Sequence, residues 1–277
     1  MTPDEYCRQK AAASGSNLYY AFLFLPPERR HAITALHSFR RELEDVVYEC
    51  SDEQVARTKL VWWRMEVAKL FEGGSTHPVM AALRPAIGKF PIVREELTEI
   101  IEGKELDLEQ TRYLDFAGLA HHCKHGGGAV ERATARILGY SNPRTLEYAA
   151  LLGTALELTR IVCDVGEDAR RNRIYLPMDE LKKFEVPAAE VLQARYSGRF
   201  AALMNFQAAR ADDFYRAAMD ALPAEDRGAQ RAGLIAAAIS RATLAEVGRD
   251  GFRVLTHRTT LTPLRKLWLA WKTWVGN

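Results

Sequence analysis

An all-α fold is predicted for this chain by three observations: apolar residues keep helical spacing almost end to end, strand signals are scarce, and no linker interrupts the pattern. The clearest case is Ile33, Leu36, Phe39, Leu43, Val46 and Val47, which recur at the i, i+3, i+4, i+7 spacing of one helix face. There is no Asn-Gly turn and little sustained period-2 alternation, the two marks of a hairpin.

Each element then has its own punctuation. Pro26-Pro27 opens the helix just described, because proline is tolerated in a first turn. Ser51 is expected to cap the next helix, which runs through Trp62, Trp63, Val67 and Leu70 and stops at Gly73-Gly74. Further helices are expected at about 76–89, 93–109 and 115–125. Gly126-Gly127-Gly128 should kink or break the chain before a helix at about 129–138. Asn142-Pro143 introduces a long helix to about Asp168. The loop Arg173 to Pro177 leads to short helices and then to long ones at about 198–221 and 225–249. With no internal repeat or low-complexity tract, residues 1–277 read as one domain.

Composition narrows the function classes. Hydrophobic residues make up 48% of the 277, enough for a substantial core, and 27% are charged. A net charge of +2 argues against nucleic acid as a partner, since such proteins carry a larger basic excess. Cys7, Cys50, Cys123 and Cys163 form no CxxC pair and read as reduced thiols in a cytoplasmic protein. The polar start, MTPDEYCRQK, does not resemble a signal peptide, and no stretch nears the ~20 apolar residues of a membrane span.

Two segments carry carboxylates one helical turn apart. The first is Arg40 to Glu49, with Glu44, Asp45 and Glu49; the second is Glu157 to Asp168, with Asp164 and Asp168. An i, i+4 spacing puts Asp45 and Glu49, and likewise Asp164 and Asp168, on one face. Facing acidic pairs of this kind suit Mg²⁺ bridged to a diphosphate, because carboxylates are hard oxygen ligands. Either segment alone reads as a solvated helix face; the apolar surroundings and the nearby Arg40, Arg41, Arg170, Arg171 and Arg173 point to phosphate instead.

Four further stretches make the chain recognisable: Ser14 to Phe22 (SGSNLYYAF), Leu106 to Tyr113 (LDLEQTRY), Asp164-Val165-Gly166-Glu167-Asp168 followed by Arg173-Ile174-Tyr175-Leu176-Pro177, and Leu261 to Trp268 (LTPLRKLW). With them the chain resembles the squalene/phytoene synthase family over nearly its whole length, and most closely the bacterial presqualene diphosphate synthases of hopanoid biosynthesis. The resemblance implies an isoprenoid synthase fold with a central apolar cavity. It also implies Mg²⁺-dependent head-to-head condensation of two farnesyl diphosphates, which some relatives follow by reduction with NADPH. No glycine-rich dinucleotide motif supports NADPH, though the family binds it without one. Carried over residue by residue, Asp45, Asp164 and Asp168 would be catalytic. Glu44, Asp45, Glu49, Asp164 and Asp168 would hold metal, and Ser16, Asn17, Arg41, Arg173 and Tyr175 would bind substrate.

The chain departs from the family at motif positions. The first motif reads Asp-Asp-x-x-Asp-Glu in relatives and Glu44-Asp45-Val46-Val47-Tyr48-Glu49 here; a phenol with a pKa near ~10 is a poor Mg²⁺ ligand. Arg160 replaces an Asn one turn before Asp164, and a guanidinium has no lone pair for a cation. Glu157 replaces a Gln, Cys163 an Arg and Ser240 a cavity Tyr; His122-Cys123 and Glu131 also differ from the pattern. Arg160 is expected to reach Glu157 at i−3 and Asp164 at i+4, supplying charge that Mg²⁺ supplies in relatives. Diphosphate ionisation would then be weakened or lost. Two functions remain open: an active presqualene diphosphate-type transferase, or a non-catalytic binder of a prenyl diphosphate or prenyl lipid that serves a partner enzyme.

Two smaller signals complete the reading. His121 and His125 share a face but lack the further ligands a metal site needs. Residues 262–277 are basic and amphipathic; Trp268 and Trp271 either pack on the domain or make peripheral contact with the inner membrane surface.

Overall fold

Capping residues and glycines set the element ends. The computed structural model describes residues 1–75 and 77–276, and these contain fourteen α-helices. They are α1 (Pro3–Ala11), α2 (Asn17–Phe22), α3 (Pro27–Glu49), α4 (Glu53–Glu72), α5 (Pro78–Lys89), α6 (Arg94–Glu109), α7 (Phe116–Cys123) and α8 (Ala129–Leu138). There follow α9 (Thr145–Arg170), α10 (Met178–Lys183), α11 (Ala188–Leu192), α12 (Gly198–Ala221), α13 (Arg231–Arg249) and α14 (Pro263–Gly276). The expected start of α5 at position 76 lies outside the described residues. The cap of α4 is Asp52 rather than Ser51: its Oδ1 accepts from the Gln54 amide at 2.7 Å. Gly73, at φ +88°, ends that helix in the left-handed region.

The triple glycine neither breaks nor sharply ends the chain. Lys124–Gly128 forms a π-helical turn that carries α7 straight into α8. The glycines let two backbones touch, since a Cβ on Gly127 would sit 2.3 Å from the Gly153 carbonyl oxygen of α9. α9 is the central helix: 18 of its 26 residues are buried, and it packs on α8, α12, α13 and the π-turn. No described residue belongs to a strand ladder; one isolated parallel bridge joins Arg112 to Ile174. It pins the loop after α9 to the end of α6, with the Ile174 amide donating to Thr111 O at 3.1 Å.

The core is apolar on both sides of α9. Leu36, Phe39, Leu60, Trp63 and Leu97 fill one cluster, and Leu158, Phe200, Leu203 and Met204 another. Burying each such side chain contributes about 1.5–3 kcal/mol. Trp63 is buried, whereas its neighbour Trp62 is 37% exposed. α14 seals one end with Ala270 and Lys266, while Trp274 rests on Phe24 at 5.3 Å between ring centroids. The packed account of Trp268 and Trp271 does not hold: they are 53% and 55% exposed, beside exposed Leu264 and Val275. No helix among the described residues is long and apolar enough to cross a membrane.

Candidate functional site

Helical spacing turns His37, Arg40, Arg41 and Glu44 of α3 to one side, where they line a cavity of about 410 Å³. That volume lies within the ~300–1,000 Å³ usual for small-molecule pockets. Its opposite wall comes from α9, with Glu157, Arg160, Cys163 and Asp164, and α8 contributes Glu131 and Thr134. Leu18, Phe22, Leu156, Ala232, Ala236 and Leu261 supply the apolar part.

Ion pairs span the gap between the two acidic helices. Arg40 Nε donates to Glu44 Oε1 at 2.9 Å, and its Nη2 crosses to Glu157 Oε2 at 2.7 Å. Arg41 Nη1 donates to Glu44 Oε2 at 2.9 Å. Arg160 Nε donates to Glu157 Oε1 at 2.7 Å, and its Nη1 reaches Asp168 Oδ2 at 3.5 Å. The expected Arg160 partner at i+4, Asp164, pairs instead with Arg258, whose Nε lies 2.9 Å from Oδ1. The fold explains the exchange: after α13 the chain crosses Gly166 so closely that a Cβ there would meet Leu255 O at 2.4 Å, and Arg258 follows three residues on. Asp45 turns away from the cavity to a short hydrogen bond with Lys10 of α1. Glu49 is exposed at the end of α3.

These pairings decide the charge states. Burial alone would raise the Glu44 carboxyl, but Arg40, Lys104 and Arg41 overcome it and hold the group down at about 2. Glu157 is driven well below the carboxylate range against the same burial, chiefly by Arg160 and Arg40. For the two aspartates further along the second segment desolvation wins. It pushes Asp168 up to about 6 despite Arg160, and raises Asp164 despite Arg160 and Arg258.

A second polar network lies beside the first. Lys104 donates to Asp107 at 2.9 Å in full burial, and the Tyr175 hydroxyl donates to the other oxygen of Asp107 at 2.7 Å. Tyr48, at the position of the missing aspartate, meets the Tyr175 hydroxyl at 3.3 Å. The guanidiniums of Arg171 and Arg173 lie 4.7 and 5.9 Å from its ring centroid. Arg173 also donates to the Asp107 carbonyl oxygen through a short bond.

Of the residues expected at the site, the cavity gathers Ser16, Asn17, Arg41, Glu44 and Asp164. Asp45, Glu49, Asp168, Arg173 and Tyr175 are not on its wall. Ser16 also caps α2, its hydroxyl accepting from the Tyr19 amide at 3.1 Å. The arrangement does not fit a Mg²⁺ cluster. Glu44, Asp45, Asp164 and Asp168 each face a cation of the chain itself, and among the described residues no three His, Cys, Asp or Glu side chains converge. His121 and His125 share only each other, with rings 4.2 Å apart. All four cysteines are free.

Sequence reasoning missed Lys10, His37, Lys104 and Arg258. Lys104 and Asp107 have only the i, i+3 spacing common to solvated helix pairs, and Lys10 and Arg258 stand far along the chain from their partners. His37 carried one usable signal, an ionisable residue one turn before Arg40 and Arg41 inside the run Ala32 to Phe39, whose other residues are apolar or small hydroxyls.

An all-helical domain enclosing a cavity walled by two acidic helices is the architecture of isoprenoid synthases. The family model for squalene/phytoene synthase matches residues 11–265, and the chain belongs to that family. It is similar to phytoene synthase of Arthrospira platensis, with 30% identity over 95% of this chain and 89% of that protein. It is also similar to phytoene synthase of Mycobacterium tuberculosis, with 32% identity over 92% and 84%. Among solved structures, a dehydrosqualene synthase in complex with ligand superposes with TM-score 0.85 at 23% identity, covering 98% of this chain and 95% of that one. Squalene synthase HpnC from Alicyclobacillus acidocaldarius gives 0.77 at 22%, covering 90% and 94%.

Proposed function

We propose that the chain binds a prenyl diphosphate or related prenyl lipid without a metal ion, and that its inherited presqualene diphosphate-type condensation is weakened or lost. One observation carries this reading: four of the five carboxylates at the expected metal positions, Glu44, Asp45, Asp164 and Asp168, are already paired with Lys10, Arg40, Arg41, Arg160 and Arg258. The cavity wall holds five basic side chains (Arg40, Arg41, Arg160, Arg258 and Lys266) against Glu44, Glu157, Asp164 and a Glu131 pushed up to about 7 by burial. That positive excess suits a diphosphate, and Arg160 Nη2 is buried there with no hydrogen-bond partner. In the same reading the exposed Leu264, Trp268 and Trp271, with Lys272, rest on the cytoplasmic face of an anionic membrane. Leu261 and Lys266 place that surface beside the cavity, through which ligand passes to a partner enzyme of the pathway.

The test is calorimetric titration with farnesyl diphosphate in EDTA and in Mg²⁺, with product analysis of the Mg²⁺ sample. Equal affinity in both, weakened about tenfold by Arg41→Ala, is the expected result for loss of one charge-assisted bond. Arg160→Asn should weaken it as well. Mg²⁺-dependent formation of presqualene diphosphate, squalene or phytoene would return the chain to the active transferases. Flotation with anionic liposomes that survives Trp268→Glu with Trp271→Glu would remove the membrane contact.

A further inference from the structure

α3 and α8 pack side by side and turn three polar groups into the cavity that the anion-binding account leaves unused. His37, Glu131 and Thr134 are 6%, 8% and 2% exposed. His37 Nε2 and Thr134 Oγ1 have no hydrogen-bond partner, and no side chain among the described residues hydrogen-bonds the Glu131 carboxyl. His37 is four residues before Arg41, about 6 Å along the helix axis, so the station adjoins the arginines without coinciding with them. Burial, then Arg40 and Arg41, presses His37 down to about 3, so its imidazole is neutral, one ring nitrogen a donor and the other an acceptor. Glu131, at about 7, is protonated in a large fraction of molecules near neutral pH and can donate as well as accept. A pure hydrocarbon laid against these groups leaves them unpaired, which is unfavourable in a buried site.

We infer that His37, Glu131 and Thr134 form a hydroxyl-recognition station, so that the cavity also takes an uncharged isoprenoid alcohol whose binding does not depend on Arg41. The inference rests on the cavity being a prenyl-ligand site, the reading proposed above, and the probes separate the two. The full chain is titrated with farnesol, with the hydrocarbon farnesene and with farnesyl diphosphate. Farnesol is expected to bind about tenfold or more tighter than farnesene, as one good buried hydrogen bond implies. Glu131→Leu and the isosteric Thr134→Val should each reduce that preference while leaving farnesene binding equal or tighter. Glu131→Gln, which keeps a donor and an acceptor, should retain most of it, and Arg41→Ala should weaken farnesyl diphosphate but not farnesol. Equal affinity for farnesol and farnesene, or a preference untouched by Glu131→Leu and by Thr134→Val, overturns the station while diphosphate binding keeps the proposed function. Binding of none of the three probes overturns both.

Discussion

On α3, Glu44 accepts from two arginines and Asp45 leaves the cavity for Lys10. On α9, Asp168 has a single 3.5 Å contact with Arg160, and Asp164 leans on an arginine that is itself 63% exposed. The two segments match in sequence spacing and differ in electrostatic outcome. Glu44 is held ionised far below its ordinary range, whereas Asp164 and Asp168 are raised by burial that their partners do not offset. In a buried site the spacing of carboxylates therefore says less about metal binding than the number of guanidiniums delivered to them. Glu44 of α3 and Glu157 of α9 are neutralised by Arg40 and Arg160 between them; Asp164 and Asp168, further along α9, are less fully compensated.

Breaking the neutralised chain Glu44–Arg40–Glu157–Arg160 should cost most. Glu157 is 2% exposed and stands between Arg40 and Arg160, so Glu157→Gln strips the nearer countercharge from two guanidiniums and leaves Arg40 only Glu44 and Arg160 only the 3.5 Å contact with Asp168. Removing one member of a buried pair costs about 3–5 kcal/mol, and for a chain of this size about 5–9 °C in Tm. Adding Arg160→Asn should recover at least about 1 kcal/mol, because the two residues act as one unit. Asp164→Asn, whose partner is solvated, should cost under about 1 kcal/mol. Urea midpoints for these three variants decide it; similar losses for Glu157→Gln and Asp164→Asn would erase the contrast.

The two sets of carboxylates should also respond to pH in opposite senses. Asp168 rises from 3.8 to about 6 on folding, so between those values the folded state holds its proton more tightly than the unfolded chain. Stability from this group therefore falls as pH rises from about 4 to 6, by about 2–3 kcal/mol, and the loss persists above. Glu44 and Asp107 sit at about 2 when folded, so their contribution is complete above their ordinary values and disappears as pH drops towards 2. Denaturation midpoints from pH 3 to 8 should show the decline above pH 4, and Asp168→Asn should flatten its pH 4–6 part. An unchanged slope in that variant would mean Asp168 is fully compensated after all.

Much of this fold was legible because its signals are local. Apolar periodicity placed α3, α6 and α9 within a few residues, and Gly73 ended α4 as its left-handed backbone requires. At the site, the substitution of Arg160 announced a charge change at the right place, and its bond to Glu157 follows from i, i+3 spacing. Its second partner did not, since Asp168 lies two turns away, beyond the reach that pair rules describe. Arg258 and Lys10 were illegible for a different reason. Their meetings with Asp164 and Asp45 depend on how the post-α13 segment crosses Gly166 and how α1 lies on α3. The raised Glu131 carboxyl needed the cavity itself, because only burial separates it from a solvated glutamate.

The smallest effect tests the rim of the neutralised region. Lys10 and Asp45 are 25% and 35% exposed, and Lys10 also pairs with Glu42 at 3.1 Å. A pair so open to solvent contributes about 0.2–1 kcal/mol, and salt screens it because the Debye length shrinks from about 10 Å at 0.1 M to about 3 Å at 1 M. A double-mutant cycle of Lys10→Met and Asp45→Asn should therefore give a coupling below about 1 kcal/mol that shrinks further in 1 M NaCl. Such a value makes Asp45 a loosely tethered carboxylate turned away from the cavity, distinct from the locked Glu44 one residue away. A coupling of several kcal/mol that ignores salt would instead make Lys10 as firm a countercharge as Arg40, and the neutralised region would extend from the cavity wall out to α1.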